Sequence, residues 1–188
     1  MKSSSFQISV ATQTDEAEIL ALNEAAVPHV SSLTTTKLAL LREQSIYTGI
    51  ARSSTGELAG FILVLDETAN YDSVNFGWFH KRYAHFAYVD RIAIASSFQR
   101  QGIGRRLYAS VNKLVQRRYP TLACEVNLRP PNLISETFHA QLGFVEVGKQ
   151  DTEDGAKRVV MLTHDVEAQL TKPSERDDGK QDRQSQRF

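Results

Sequence analysis

The stretch Gln99-Arg100-Gln101-Gly102-Ile103-Gly104-Arg105-Arg106 sets two glycines in the first turn of an amphipathic helix that directly follows an apolar strand. A helix N-terminus offers unpaired N–H groups and a partial positive charge, and glycines let an anion approach the backbone closely. The chemistry expected there is anion binding, with a pyrophosphate as the natural guest. The turn is not a P-loop, because no Gly-Lys-Ser/Thr follows it. Nor is it the dinucleotide fingerprint, because Arg105-Arg106-Leu107 stands where a third glycine would be needed. ATPase and dehydrogenase chemistry are therefore disfavoured. A Gly-x-Gly pair is also what a tight helix-capping turn needs, so the turn alone leaves both readings open.

Several elements must hold this turn in place. Phe6, Ile8 and Val10 alternate with polar residues as a strand does, and Asp15 to Glu18 offers a capping box for a helix carrying Ile19, Leu22 and Ala26. Pro28 ends that helix, and Thr34 to Thr36 can cap another through Leu38, Leu41 and Arg42. Strands at 47–52 and 57–65 follow, joined by a hairpin turn at Ser53 to Gly56. From 66 to 84 no period holds, yet Tyr71, Phe76, Trp78, Phe79 and Tyr83 crowd the segment, which is expected to be a long loop that lines a substrate site or covers a sheet edge. Then come a strand at 85–95, a helix at 101–119 with Ile103, Leu107, Val111, Leu114 and Val115 on one stripe, and a strand at 121–128. A helix at 132–142 ends at Gly143, and strands at 145–149 and 158–162 flank a turn at Asp154-Gly155.

The 188 residues are 41% hydrophobic and 23% charged, which favours one globular domain, expected over residues 1–168. Residues 169–188 are nearly free of apolar side chains and are expected to form a flexible tail. Lys plus Arg equals Asp plus Glu at 22 each, so no general attraction to nucleic acid or to an anionic membrane is expected. A lone cysteine, Cys124, excludes an intrachain disulfide framework, and no Cys/His spacing matches a zinc site. No segment has the length or apolarity of a signal peptide or a membrane span, and a cytoplasmic location is the expectation.

Two blocks of the chain resemble the GNAT superfamily, the Gcn5-related N-acetyltransferases. Gln99, Gly102 and Gly104 match its coenzyme A signature, Arg/Gln-x-x-Gly-x-Gly/Ala, and Arg91 to Ile94 resembles the strand before it; Ser96 stands where many members have proline. Asn132, Ser135, His139, Gly143 and Phe144 match the later Asn-x-x-Ala/Ser-x-x-x-Tyr/His-x-x-x-Gly-Phe helix. The resemblance covers roughly residues 85 to 145. It implies an α/β mixed-sheet (α+β) fold, a mostly antiparallel sheet of about seven strands flanked by about four helices.

The resemblance further implies acetyl-CoA as cosubstrate and direct attack by a primary amine, with no metal. Its fourth and fifth strands splay around the pantetheine, so the backbone of Ile92, Ala93 and Ile94 is expected to meet the coenzyme. The amides of Gln101 to Arg105, Ile103 included, would receive the pyrophosphate, with Gln99 and Arg100 beside them. Asn132 and Ser135 would contact the coenzyme, and His139 would stand near its sulfur as the general acid. Asp90 and Glu125 lie on the two strands that would flank the acetyl group. Alternation sets Tyr88, Asp90 and Ile92 on one face, and Asp90 is the expected base, set against a structural pairing with an arginine such as Arg91, with Glu125 as a base or a substrate contact. Trp78, Phe79, Tyr83 and Tyr88 would form the acceptor wall, and homodimerisation is possible. A non-catalytic acyl-CoA binding or sensing module is the alternative; it would keep the glycine turn and need neither His139 nor Asp90.

Overall fold

The computed structural model describes residues 5–166; the expected tail at 169–188 lies outside the described residues. Seven strands form one sheet in the order β1-β2-β3-β4-β5-β7-β6. They are β1 (Gln7–Val10), β2 (Tyr47–Arg52), β3 (Leu58–Asp66), β4 (Ala87–Ile94), β5 (Thr121–Arg129), β6 (Val145–Thr152) and β7 (Lys157–Asp165). All neighbours run antiparallel except β4 and β5. Five helices accompany them: α1 (Glu16–Ala25), α2 (Thr35–Gln44), α3 (Val74–His80), α4 (Ile103–Val115) and α5 (Leu133–Gln141).

The helices cover both faces. On one, Ile103, Leu107, Tyr108 and Val111 of α4 pack with Phe138 of α5 onto Ile62, Val64, Val89, Cys124 and Val126. On the other, Ile19, Leu38, Leu41, Phe76 and Phe79 from α1, α2 and α3 cover Ile50, Phe61, Leu63, Tyr88 and Ala123. A sheet whose two faces are both buried calls for the uninterrupted apolar run that β3 has from Ala59 to Leu65.

The elements differ from expectation at four places. Among the described residues there are five helices, because the 66–84 segment contains α3; Ser73 caps it, its hydroxyl accepting from Phe76 N–H at 3.4 Å. Seven residues are too few to show a helical stripe. The first capping box begins at Thr12, whose N–H donates to Asp15 Oδ2 at 2.7 Å, and it starts a one-turn 3-10 segment ahead of α1. Asp15 therefore closes the box rather than opening it, and it also holds Arg52 at 2.6 Å, as Glu18 does at 2.8 Å. Finally, α4 stops at Val115, with Arg117 at φ 71°.

Candidate active site

The parallel ladder between β4 and β5 consists of Ala87↔Leu122 and Tyr88↔Ala123 and then ends. Beyond it β4 stays paired to β3 as far as Ile94, and β5 stays on β7 as far as Arg129. Their inner edges thus part from Val89 and Cys124 onward, leaving backbone donors and acceptors turned toward a gap.

A β-bulge corrects the expected facing of β4. Leu63 pairs with Arg91 and Val64 with Val89, so Asp90 is the extra residue between them. Alternation resets there. Tyr88 and Ala93 belong to the α1–α3 side, whereas Val89, Ile92 and Ile94 pack toward α4. Tyr88, Asp90 and Ile92 therefore do not share a face as expected.

Gly102 caps α4 with φ 79°, and a Cβ there would meet nothing within 4 Å. The first amide bonded back along the turn is Arg106 N–H, to Gly102 C=O at 3.2 Å, and the first turn holds no acidic residue. The amides ahead of Arg106 have the orphan geometry of a helix start. Gln99 Nε2 donates to Ile94 C=O at 3.4 Å and Gln101 Nε2 to Ser97 C=O at 3.3 Å, tying the turn to the strand before it. Arg100, at φ 62°, is exposed. Arg105 reaches Gln141 Oε1 of α5 at 3.2 Å. Gly104 has a different reason to be glycine, since a Cβ would lie 2.9 Å from the Phe138 ring. It permits α4 and α5 to approach, and only Gly102 opens outward.

Asn132 caps α5, its side-chain oxygen accepting from Ser135 N–H at 3.1 Å while its own N–H donates to Asn127 C=O at 3.0 Å. His139 is buried. Its Nδ1 lies 2.8 Å from Ser135 C=O and 3.2 Å from the Ser135 hydroxyl; a carbonyl can only accept, so Nδ1 carries the proton. Nε2 accepts from the Tyr108 hydroxyl at 2.7 Å. Burial holds the imidazole pKa below its ordinary value, against a smaller opposing effect of the Ser135 carbonyl. Both nitrogens of His139 are thus engaged, and burial favours the neutral imidazole over the imidazolium expected of an acid. Cys124 is buried beside Tyr108, and burial pushes its thiol pKa well up, so it is no thiolate.

Glu125 lies just past the point where the strands part. Tyr88 O–H donates to its Oε2 at 2.6 Å, and Asn75 Nδ2 of α3 donates to its Oε1 at 3.0 Å. Burial, reinforced by the charge of Asp90 and opposed by the two hydrogen bonds, pushes the carboxyl up to about 7. Asp90 is differently placed: Arg91 Nε donates to its Oδ2 at 2.6 Å, both side chains being almost wholly buried. Arg91 also reaches Asn23 Oδ1 at 2.8 Å and Ser31 C=O at 3.1 Å, which anchors the α1–α2 connection to β4. From β5, Asn127 Nδ2 reaches Pro28 C=O in the same connection at 3.2 Å.

The aromatic segment divides. Phe79 is fully buried in the core, so it lines no accessible wall. Trp78 packs over Gly148 of β6, where a Cβ would lie 2.6 Å from the indole, and carries the Arg82 guanidinium at 3.9 Å. Tyr83 and Tyr71 are half-buried; Tyr71 stands beside Asp90, and burial together with that charge raises its phenol pKa. Sequence reasoning missed Asn75, Tyr108 and the reach of Arg91 to Asn23 and Ser31, none of which has a local signature, although the pairing of Asp90 with Arg91 is one of its two readings of Asp90. A surface hollow of about 740 Å³, lined by Phe6, Ser53, Arg106 and Lys113 among others, shares no residue with β4 or β5. Among the described residues no His, Cys, Asp and Glu group could hold a metal, and no helix is long and apolar enough to cross a membrane.

The structure thus joins a strand pair that parts, an open glycine turn and a carboxyl at the fork in one mixed α/β fold. A family model described as the acetyltransferase (GNAT) domain matches residues 21–164, and the chain belongs to that family. The ribosomal-protein-S18-alanine N-acetyltransferase of Escherichia coli superposes with a TM-score of 0.65 at 20% identity, over 86% of this chain and 94% of that one. For yncA of Salmonella typhimurium, whose structure includes its cofactor acetyl-CoA, the TM-score is 0.65 at 15% identity, over 86% and 94%. For Arabidopsis thaliana NAA60 in complex with a bisubstrate analogue it is 0.66 at 12%, over 86% and 98%. At such identities the likeness is one of fold. None of the curated proteins matches this chain.

Proposed function

We propose that this protein transfers the acetyl group of acetyl-CoA to a primary amine by direct attack, with Glu125 as general base. The observation that carries this reading is the carboxyl of Glu125, near neutrality at the fork of β4 and β5. A base is most useful when its pKa lies near the working pH, and Asp90 is already paired with Arg91. The base assignment therefore moves from Asp90 to Glu125.

The residues fit the coenzyme. Gly102 leaves space at a helix start free of acidic side chains, and the first-turn amides of Ile103, Gly104 and Arg105 suit a pyrophosphate. The inner edge of β4 from Val89 to Ile94 has no strand partner on the β5 side and offers its backbone to pantetheine amides. Acetyl-CoA supplies an activated thioester. The chain's part is to hold it in the gap, take one ammonium proton at a Glu125 oxygen and keep water from the fork; an N–C bond forms as the C–S bond breaks, the sulfur leaves as thiolate, and the second proton that the nitrogen sheds on becoming an amide passes to that thiolate. His139, neutral and fixed by Ser135 and Tyr108, shapes the wall next to the gap.

On the acceptor side stand Glu125, Tyr71, Trp78, Tyr83 and the α1–α2 connection. This mixture of carboxylate and ring faces suits an ammonium group. The test is thiol release from acetyl-CoA with a panel of small primary amines and peptides bearing a free N-terminus, followed by mass detection of one added acetyl group. Tight acetyl-CoA binding without turnover on any amine would favour an acyl-CoA sensing module.

A further inference from the structure

Two residues from separate elements bond Glu125, and a third, from another element, holds one of them. Tyr88 of β4 bonds one carboxylate oxygen at 2.6 Å, and Asn75 of α3 bonds the other at 3.0 Å. Asn75 is itself held: Gln150 Nε2 of β6 donates to Asn75 Oδ1 at 2.8 Å and to Val74 C=O at 3.1 Å. An amide whose oxygen is engaged presents its NH2 in one direction, so the bond from Gln150 fixes which end of Asn75 meets Glu125. The indole of Trp78 over Gly148 seats α3 on the same strand.

Resting on the assignment of Glu125 as the base, we propose that Tyr88, Asn75 and Gln150 are positioning residues, a hydrogen-bonded chain running from the edge strand β6 to the fork that orients Glu125 and sets the pH at which it accepts a proton. Both donors stabilise the charged carboxylate, so each keeps the base available at neutral pH against the burial that would protonate it. The other groups facing Glu125 are Asp90, whose charge favours its neutral form, and the un-ionised Tyr71, Tyr108 and Cys124, whose pKa values its charge helps to raise. Arg91 faces Asp90, so it offers Glu125 no direct partner. Tyr88 is thereby reassigned from acceptor wall to support of the base.

The test reads Glu125 itself and needs no acceptor. Protein labelled with 13C at the glutamate carboxyl carbons is titrated by NMR, and the Glu125 resonance is identified as the one absent from Glu125→Gln. The expected midpoint in the parent protein is about 7. A hydrogen bond to a charged group is strong enough that losing Tyr88 O–H in Tyr88→Phe moves the midpoint up by about one pH unit or more. Asn75→Ala gives a smaller upward shift, and Gln150→Ala a smaller one again. An unmoved or lowered midpoint in Tyr88→Phe or Asn75→Ala overturns the positioning roles, and an unmoved one in Gln150→Ala removes β6 from the chain. If the parent resonance instead titrates in the ordinary carboxylate range, it is the choice of Glu125 as base that fails. Tyr88→Phe keeps the ring and its packing, so the chain should stay folded.

Discussion

The raised pKa of Glu125 has a thermodynamic consequence independent of any substrate. A carboxyl moved from 4.5 to about 7 binds its proton more tightly in the folded than in the unfolded chain. Stability from this group is therefore present at low pH and is lost as pH rises through that window. At about 1.36 kcal/mol per pH unit the loss amounts to about 3 kcal/mol, or about 2 kcal/mol if water reaches the half-buried carboxylate. Glu125→Gln keeps the size and an oxygen for Asn75 but cannot ionise, so it escapes the loss. For a domain of this size about 1 kcal/mol moves the melting temperature by 2–4 °C. The variant should thus gain about 4–12 °C on the parent between about pH 5 and about pH 8. Paired melting curves across that range provide the assay, with the other titrating groups common to both proteins. Parallel curves, a constant difference at every pH, would refute the argument that burial and Asp90 raise Glu125.

Gly102→Val should cost about 1–2 kcal/mol from its left-handed backbone and weaken acetyl-CoA binding, measured by calorimetry; unchanged affinity in the folded variant would remove the cradle. Gly104→Ala should instead lower stability by pressing on Phe138, with coenzyme affinity of the folded protein retained, and the reverse pattern would put Gly104 in the cradle. Phe79→Ala should cost about 3–5 kcal/mol in denaturant unfolding, as a core ring does, whereas a cost below about 1 kcal/mol would return Phe79 to the acceptor wall. His139 should show one neutral tautomer by imidazole NMR and resist protonation until below its ordinary 6.5, so its contribution to stability falls as pH drops below that value. A midpoint at or above 6.5 would make it available as an acid.

Much of this arrangement is legible in the sequence, and the parts that are not share a cause. The stripe of α4, the alternation of β1 and the Gly102 turn depend on residues a few positions apart, where period and turn chemistry operate. The bulge at Asp90 is set by pairing with β3, and nothing near Asp90 announces it, so one residue of slippage reversed the expected facing. Likewise Glu125 and Tyr88 are 37 residues apart and meet only through the short parallel ladder, while Asn75 arrives on a helix too short to leave a period. His139 sits where its motif predicts, but its state comes from burial in the fold, and its Nε2 meets Tyr108, on the preceding helix.

The central claim, that Glu125 removes the proton of an amine attacking acetyl-CoA, is tested most directly by the pH dependence of kcat/KM, followed by thiol release with one accepted amine, in the parent protein and in Glu125→Gln. The account predicts a parent rate that rises with pH through a midpoint of about 7, and a variant slower by about 10²–10⁴-fold in which that rise is gone. A Glu125→Gln protein that keeps the same rising limb, or loses less than about threefold, would contradict it.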